Sequence, residues 1–303
     1  MDTGKLYLTD RCAGRYNPLP RVLFYDDFDE GLNGWAELVS NHAGDLSNLR
    51  PGMHDLRPAQ LSNCTFFDIG SHGSVEGNYA LKLATRAQAG AQAALIKRMT
   101  FVQKGLVQLE TYFTFKAEQT SADPEILKAW DGNEDPSERQ FGDFTISNDV
   151  CEDGGKPRYH LALRYSNAGP DGKYIRGWFY KTALHPTTKI ALSGGENHGD
   201  DFHVRSEDDW VPIPGGEQEM CFNETATKVN WHYLRWQFDT KNRRNVELQV
   251  NNHVMDLTSI PVPTYDHEYR GLSNLLNFLF DVRTRVPVRN FLYLDSVVVS
   301  VDW

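Results

Sequence analysis

The chain has 303 residues, 31 Lys+Arg against 41 Asp+Glu, a formal net charge of −10 and 40% hydrophobic residues. That apolar content supports a folded core and excludes collagen-like, low-complexity and coiled-coil chains. The acidic balance argues against a duplex-binding protein, which needs a basic face to displace counterions from phosphates, so no nucleic-acid partner is expected. An acidic polysaccharide stays open as a ligand, because a local basic cleft can sit inside a net acidic shell. Met1 to Tyr7 contains no apolar core of a signal peptide, and no stretch approaches the roughly 18 apolar residues of a membrane span. A cytoplasmic location with no membrane partner is therefore expected, or a secreted one if a leader has been removed. Cys12, Cys64, Cys151 and Cys221 lie far apart with no C-x-x-C pair, which excludes a zinc ribbon or small disulfide scaffold and predicts reduced, buried thiols.

In chain order, the first readable element is the opening Val22 to Trp35, followed by Gly77 to Leu83 after a glycine turn. Val107 to Phe115 alternates with period 2, placing Val107, Leu109, Phe113 and Phe115 on one face and Gln108, Glu110, Tyr112 and Thr114 on the other. Residues 118–140 are polar and carry Asp131, Glu134, Asp135 and Glu138; within them Asp123 to Trp130 has the Asp-Pro opening of a short helix. Arg158 to Tyr165 opposes Tyr159, Leu161, Leu163 and Tyr165 to Arg158, His160 and Arg164. Tyr174 to Tyr180 sets Tyr174, Arg176, Trp178 and Tyr180 on one side.

Residues 182–230, with Gly194-Gly195, Gly215-Gly216 and prolines, read as a second irregular insertion. Asn245 to Val250, Asn251-Asn252 and His253 to Leu257 read as a two-residue hairpin, for which asparagine's tolerance of positive φ suits a type I′ turn. Leu272 to Leu276 is a further short helical candidate, and Leu276 to Arg283 and Asn290 to Val301 read as central strands. Many strands, turn-rich joints and no βαβ rhythm predict an all-β, two-sheet antiparallel sandwich. Neither insertion has linker composition, so residues 1–303 read as one domain with a core from about 22 to 301.

Taken together, Val22 to Trp35, Gly77 to Leu83, Trp231 to Asp239 with the hairpin that follows, and Phe291 to Ser300 resemble, in this order, the concanavalin A-like lectin/glucanase superfamily of β-jelly rolls. The resemblance implies a concave sheet carrying a saccharide site. It also implies a structural calcium whose ligands correspond to Asp27 or Asp29, Asn78 and Asp295, a chemically reasonable set of hard oxygen donors; no organic cofactor is implied.

The E-x-D-x-E strand of the superfamily's glucanases is absent, since Glu217-Gln-Glu219 sits beside Pro214-Gly215-Gly216 in an expected loop. If the middle strands share one face, Glu110, Tyr112, His160, Arg164, Arg176, Trp178 and Tyr180 line a groove suited to a saccharide. Aromatic rings would stack on sugar C–H faces and Arg would bind hydroxyls. Three readings stand open. A binding protein would use Arg164, Arg176, Trp178 and Tyr180. A lyase or hydrolase would add Glu110, His160 and Tyr112 as acid/base groups, although the Tyr-x-Lys-x-Gly-x-Tyr pattern of jelly-roll alginate lyases is missing. A structural module would have this face covered by another subunit of a homo-oligomer or by its own insertion. Trp130 and Trp210 can cap the groove from the insertions. Glu196 to His203, with His198, Asp200, Asp201 and His203, has metal-compatible side chains without a metal-site spacing and reads as a polar loop.

Overall fold

The computed structural model describes residues 15–37, 59–62, 74–118, 137–155, 157–182, 188–192, 195–199, 209–222, 229–265 and 273–303. Cys12, Cys64, the expected helix at 123–130 with Trp130, the carboxylates 131–135 and the segment 200–203 lie outside these residues. In chain order the strands are β1 (Arg21–Asp26), β2 (Trp35–Glu37), β3 (Gln60–Ser62), β4 (Ala80–Ala84), β5 (Gln92–Lys97), β6 (Leu106–Ala117), β7 (Asp143–Cys151), β8 (Arg158–Ala168) and β9 (Tyr174–Lys181). They continue as β10 (Thr188–Leu192), β11 (Gly195–Gly199), β12 (Trp210–Glu217), β13 (His232–Asp239), β14 (Arg244–Val250), β15 (His253–Asp256), β16 (Thr264–Tyr265), β17 (Leu275–Arg283) and β18 (Asn290–Val301).

Two antiparallel sheets result, the sandwich that the alternation predicts. The first runs β15-β14-β13-β6-β18-β4-β3 with β1 also on β18; the second runs β12-β9-β8-β7-β17-β5-β2 with β16 on β8. β17 and β18, both read as central, are central in different sheets. Of the helix expected at 272–276, Leu272 lies outside the described residues, and Leu275 and Leu276 open β17 instead. The second insertion is more regular than expected: it holds the β10–β11 hairpin and β12, which pairs with β9. β12 carries Pro212 and Pro214, which an edge strand tolerates because one side needs no ladder donors.

A single hydrophobic core joins the sheets. Val107, Leu109, Phe113 and Phe115 enter it from β6, and Tyr159, Leu161, Leu163 and Tyr165 from β8, as their alternation requires. Phe144 of β7 bridges the layers, 5.0 Å from Phe113 and 5.6 Å from Trp178 between ring centroids. Trp178 is thus a core residue, 1% exposed, whose Nε1 donates to Gln218 Oε1 at 3.0 Å. Gln218 Nε2 in turn donates to the Val250 carbonyl at 3.1 Å, tying the edge of the second sheet to β14 of the first.

At one end of the sandwich buried Glu152 accepts hydrogen bonds from Lys104 and Arg243, which come from loops flanking strands of the first sheet. Burial alone would raise its pKa, but these two cations outweigh it and hold the carboxyl below its ordinary value.

Trp178→Ala is expected to cost about 3–5 kcal/mol by chemical denaturation, since it opens a cavity between the sheets. Glu152→Gln is expected to lower stability at pH 7. A depressed carboxyl contributes stability above its unfolded pKa and loses it as pH falls through the folded value. The gap between wild type and variant should therefore shrink below pH about 4, and a gap that widens there would contradict the pairing.

Candidate functional site

The seven groove residues expected from the sequence do not share one face. Glu110 and Tyr112 point outward from the first sheet, and His160 and Arg164 outward from the second, on opposite sides of the molecule. Trp178 points into the core and Tyr180 packs against it. The register explains the split: Tyr165 pairs with Trp178 and Arg164 with Phe179, so a core-facing Tyr165 carries Trp178 inward. Arg176 adopts a left-handed φ of 46° beside the irregular register at Ser166 and Ala168. Its guanidinium holds Glu138 and Glu219, each at 3.0 Å, and lies 3.7 Å from the Tyr174 ring. It therefore braces the edge of the second sheet.

On the first sheet Glu110 is wholly buried beneath the segment 15–20. It accepts the Asn17 N–H at 2.8 Å, the Tyr233 hydroxyl at 2.6 Å and Gln108 Nε2 at 2.8 Å. The side chain is satisfied, and Tyr112 leans on Tyr16 and Tyr233. A local pattern places Glu110 outward correctly; the strap that covers it comes from more than ninety residues away.

The outer face of the second sheet is different. Alternation along β7 turns Asp143, Thr145, Ser147 and Asp149 outward, opposite Ser166, Arg164, Ala162 and His160 of β8. On the other side of β7 they face Arg283, Asp281, Leu279 and Asn277 of β17. Leu279 joins Ala94 and Ile96 in a small apolar patch on this face. Around it lie charged groups that are themselves buried, among them Asp143, Arg164, Lys181 and Asp281. Arg285 Nε reaches Asp143 Oδ2 at 2.7 Å, and Arg164 Nε lies 3.6 Å from Asp143 Oδ1. Trp210, which opens β12, covers the Arg164 guanidinium at 3.9 Å from its ring centroid, with Lys181 at 5.2 Å.

Four oxygens on this face have no hydrogen-bond partner: Gln92 Oε1, Asp143 Oδ1, Thr145 Oγ1 and Asn277 Oδ1. Each belongs to a residue at most 5% exposed. Sequence reasoning named Arg164, His160 and Trp210 but missed β7, whose outward Asp-Thr-Ser-Asp series has period 2 and was legible. Toward the other end Asp149 accepts two hydrogen bonds from Arg158, at 2.7 and 2.8 Å, with His160 Nε2 at 3.4 Å. Burial opposes its ionisation, yet Arg158 and His160 hold the carboxyl well below the ordinary range. His160 and Arg164 are four residues apart, about 13 Å along the strand. Arg164 turns toward Asp143, away from His160, so the two do not converge on one reacting carbon as a lyase acid/base pair would.

The calcium set implied by resemblance, Asp27, Asn78 and Asp295, does not fit this structure. Asp29, the alternative to Asp27, accepts the N–H groups of Asn78 and Tyr79 at 2.7 and 2.9 Å. Asp295 accepts those of Val75 and Glu76. The loop thus presents donors to these carboxylates, whereas a cation needs acceptors. Asp27 accepts the Asp29 N–H at 3.2 Å. Burial, with Glu76 nearby, pushes Asp295 up to about 7 against the pull of its hydrogen bonds. Among the described residues no three His, Cys, Asp or Glu side chains form a metal-holding group. No helix among them is long and apolar enough to cross a membrane.

No curated protein sequence matches the chain. Among solved structures it is similar to the cellulose-induced protein Cip1, at 10% identity over 91% of this chain and 96% of that one, with a TM-score of 0.43. It is also similar to the Emp46p carbohydrate recognition domain in its potassium-bound form, at 12% identity over 94% and 96%, TM-score 0.41. A third is the Bacteroides ovatus mixed-linkage glucan GH16 protein, at 10% identity over 91% and 99%, TM-score 0.40. A family model matches residues 4–303, and the chain belongs to that family, a domain of unknown function, DUF6772.

Proposed function

We propose that this protein binds a saccharide across the outer face of the second sheet, beside Trp210 and Arg164. One observation carries the reading: the buried oxygens of Gln92, Thr145 and Asn277 on that face, which have no hydrogen-bond partner. A buried acceptor without a donor costs about 1–3 kcal/mol, a cost that hydroxyl groups of a ligand reaching these oxygens would relieve. A sugar supplies many such donors in a small volume. Its C–H faces suit the indole of Trp210 and the small apolar patch of Ala94, Ile96 and Leu279. The planar guanidinium of Arg164, held by Asp143 and the indole, fixes the position of the Trp210 ring beside this face. The satisfied Glu110 cluster on the first sheet has no comparable need. This supports binding without chemistry at Glu110 and Tyr112, and favours a ligand on the sheet that carries His160 and Arg164.

Isothermal titration against a panel of oligosaccharides tests this. Trp210→Ala is expected to weaken binding about tenfold or more. Glu110→Gln is expected to lower the melting temperature, since a donor amide replaces an acceptor oxygen, while leaving affinity unchanged. The opposite pattern would move the ligand to the first sheet, and a panel in which wild type binds no saccharide would end the proposal.

A further inference from the structure

Beyond the end of β5 the register with β17 is kept, with the Leu276 N–H donating to the Met99 carbonyl. Lys97 pairs with Phe278 and Thr100 bridges to Leu275, so Arg98 stands opposite Asn277. Asn277 pairs with Asp149, and Asp149 with His160. Arg98, Asn277, Asp149 and His160 therefore form one transverse row on the outer face of the second sheet, with Arg158 beside it.

The row has more cation than its carboxylate can match. Asp149 is taken up by the paired hydrogen bonds from Arg158, by Asn277 Nδ2 at 3.3 Å and by His160 at 3.4 Å. Among the described residues no hydrogen bond or ion pair reaches the half-buried Arg98 guanidinium. Only the field of Asp149 acts on it, and burial pushes its pKa down. Asn277, 4% exposed, leaves Oδ1 without a donor in the same row. A partly desolvated guanidinium without a counter-ion, next to an unmet acceptor, is complementary to a group that brings negative charge and a hydroxyl together.

We infer that the Arg98 row is an anion subsite of the saccharide face, and that the ligand is an acidic oligosaccharide bearing a carboxylate or sulfate group. The inference rests on the saccharide reading above. Arg98 would take the acidic group through charge-assisted hydrogen bonds and Asn277 Oδ1 a neighbouring hydroxyl. The row lies about 13 Å along β8 from Arg164, so a ligand touching both Trp210 and Arg98 spans more than one sugar unit. A locally basic row in a chain of net charge −10 also concentrates an acidic ligand at this face while the rest of the surface repels it.

The experiment titrates the full chain with three probes of matched length: an oligogalacturonate, a sulfated chondroitin oligosaccharide and a neutral cello-oligosaccharide. At least one acidic probe is expected to bind roughly tenfold to a hundredfold tighter than the neutral one, with affinity falling as salt is raised. Arg98→Gln should remove that advantage and leave the neutral probe unchanged, and the preferred acidic probe distinguishes carboxylate from sulfate. A neutral probe that binds as tightly as both acidic ones, or acidic binding that Arg98→Gln does not weaken, overturns the anion subsite while the saccharide reading stands. If wild type binds none of the three, both fall.

Discussion

The layer of aromatic rings between the sheets is the constraint on which the remaining geometry depends. Phe113, Phe115, Phe144, Tyr165 and Trp178 meet there, with centroids 5.0 Å apart for Phe113 and Phe144 and 5.4 Å for Tyr165 and Trp178. Because strand side chains alternate, committing one ring to the interior determines the direction of its neighbours. Trp178 inside means Phe179 and Lys181 outside; Phe144 inside means Asp143 and Thr145 outside. The polar series on the outer face of the second sheet is thus a direct consequence of how the core is filled.

Alternation made the strands and the two faces of each strand readable, from Val107 to Phe115 and from Tyr159 to Tyr165. It could not say which strands share a sheet. That information resides in pairing between residues far apart, such as Asp149 with Asn277. The grouping of Glu110 with Arg164 and Trp178 failed for this reason. Period 2 groups Tyr174, Arg176, Trp178 and Tyr180 on one side, but only contact with Tyr165 makes that side the interior. β12 was hidden by its two prolines, which read as loop residues unless the strand lies at an edge. Arg98 carried no local mark at all, because its place in the row depends on register with β17.

The two outer faces show how different the fate of a buried polar group can be. On the first sheet the segment 15–20 supplies a backbone N–H to Glu110 and a carbonyl to Gln108, and cross-strand neighbours complete the set. That network is closed and specifies how the N-terminal segment lies on the sheet. On the second sheet Thr145, Asn277 and Gln92 retain unmet capacity although the backbone ladders around them are regular. Native structures keep few such groups, and the oxygens of Gln92, Thr145 and Asn277 bring three of them onto this face.

The prolines of β12 also govern how the molecule meets its own kind. An open sheet edge is a template on which another chain can add a strand, and long flat edges seed polymerisation. Here the outermost strand of the second sheet lacks amide hydrogens at Pro212 and Pro214, and its register on β9 slips between Pro212 and Glu217. A passing strand would find an interrupted row of donors and could not zip along it. The edge beside Trp210 is thereby closed to strand addition, and runaway self-association through it is disfavoured.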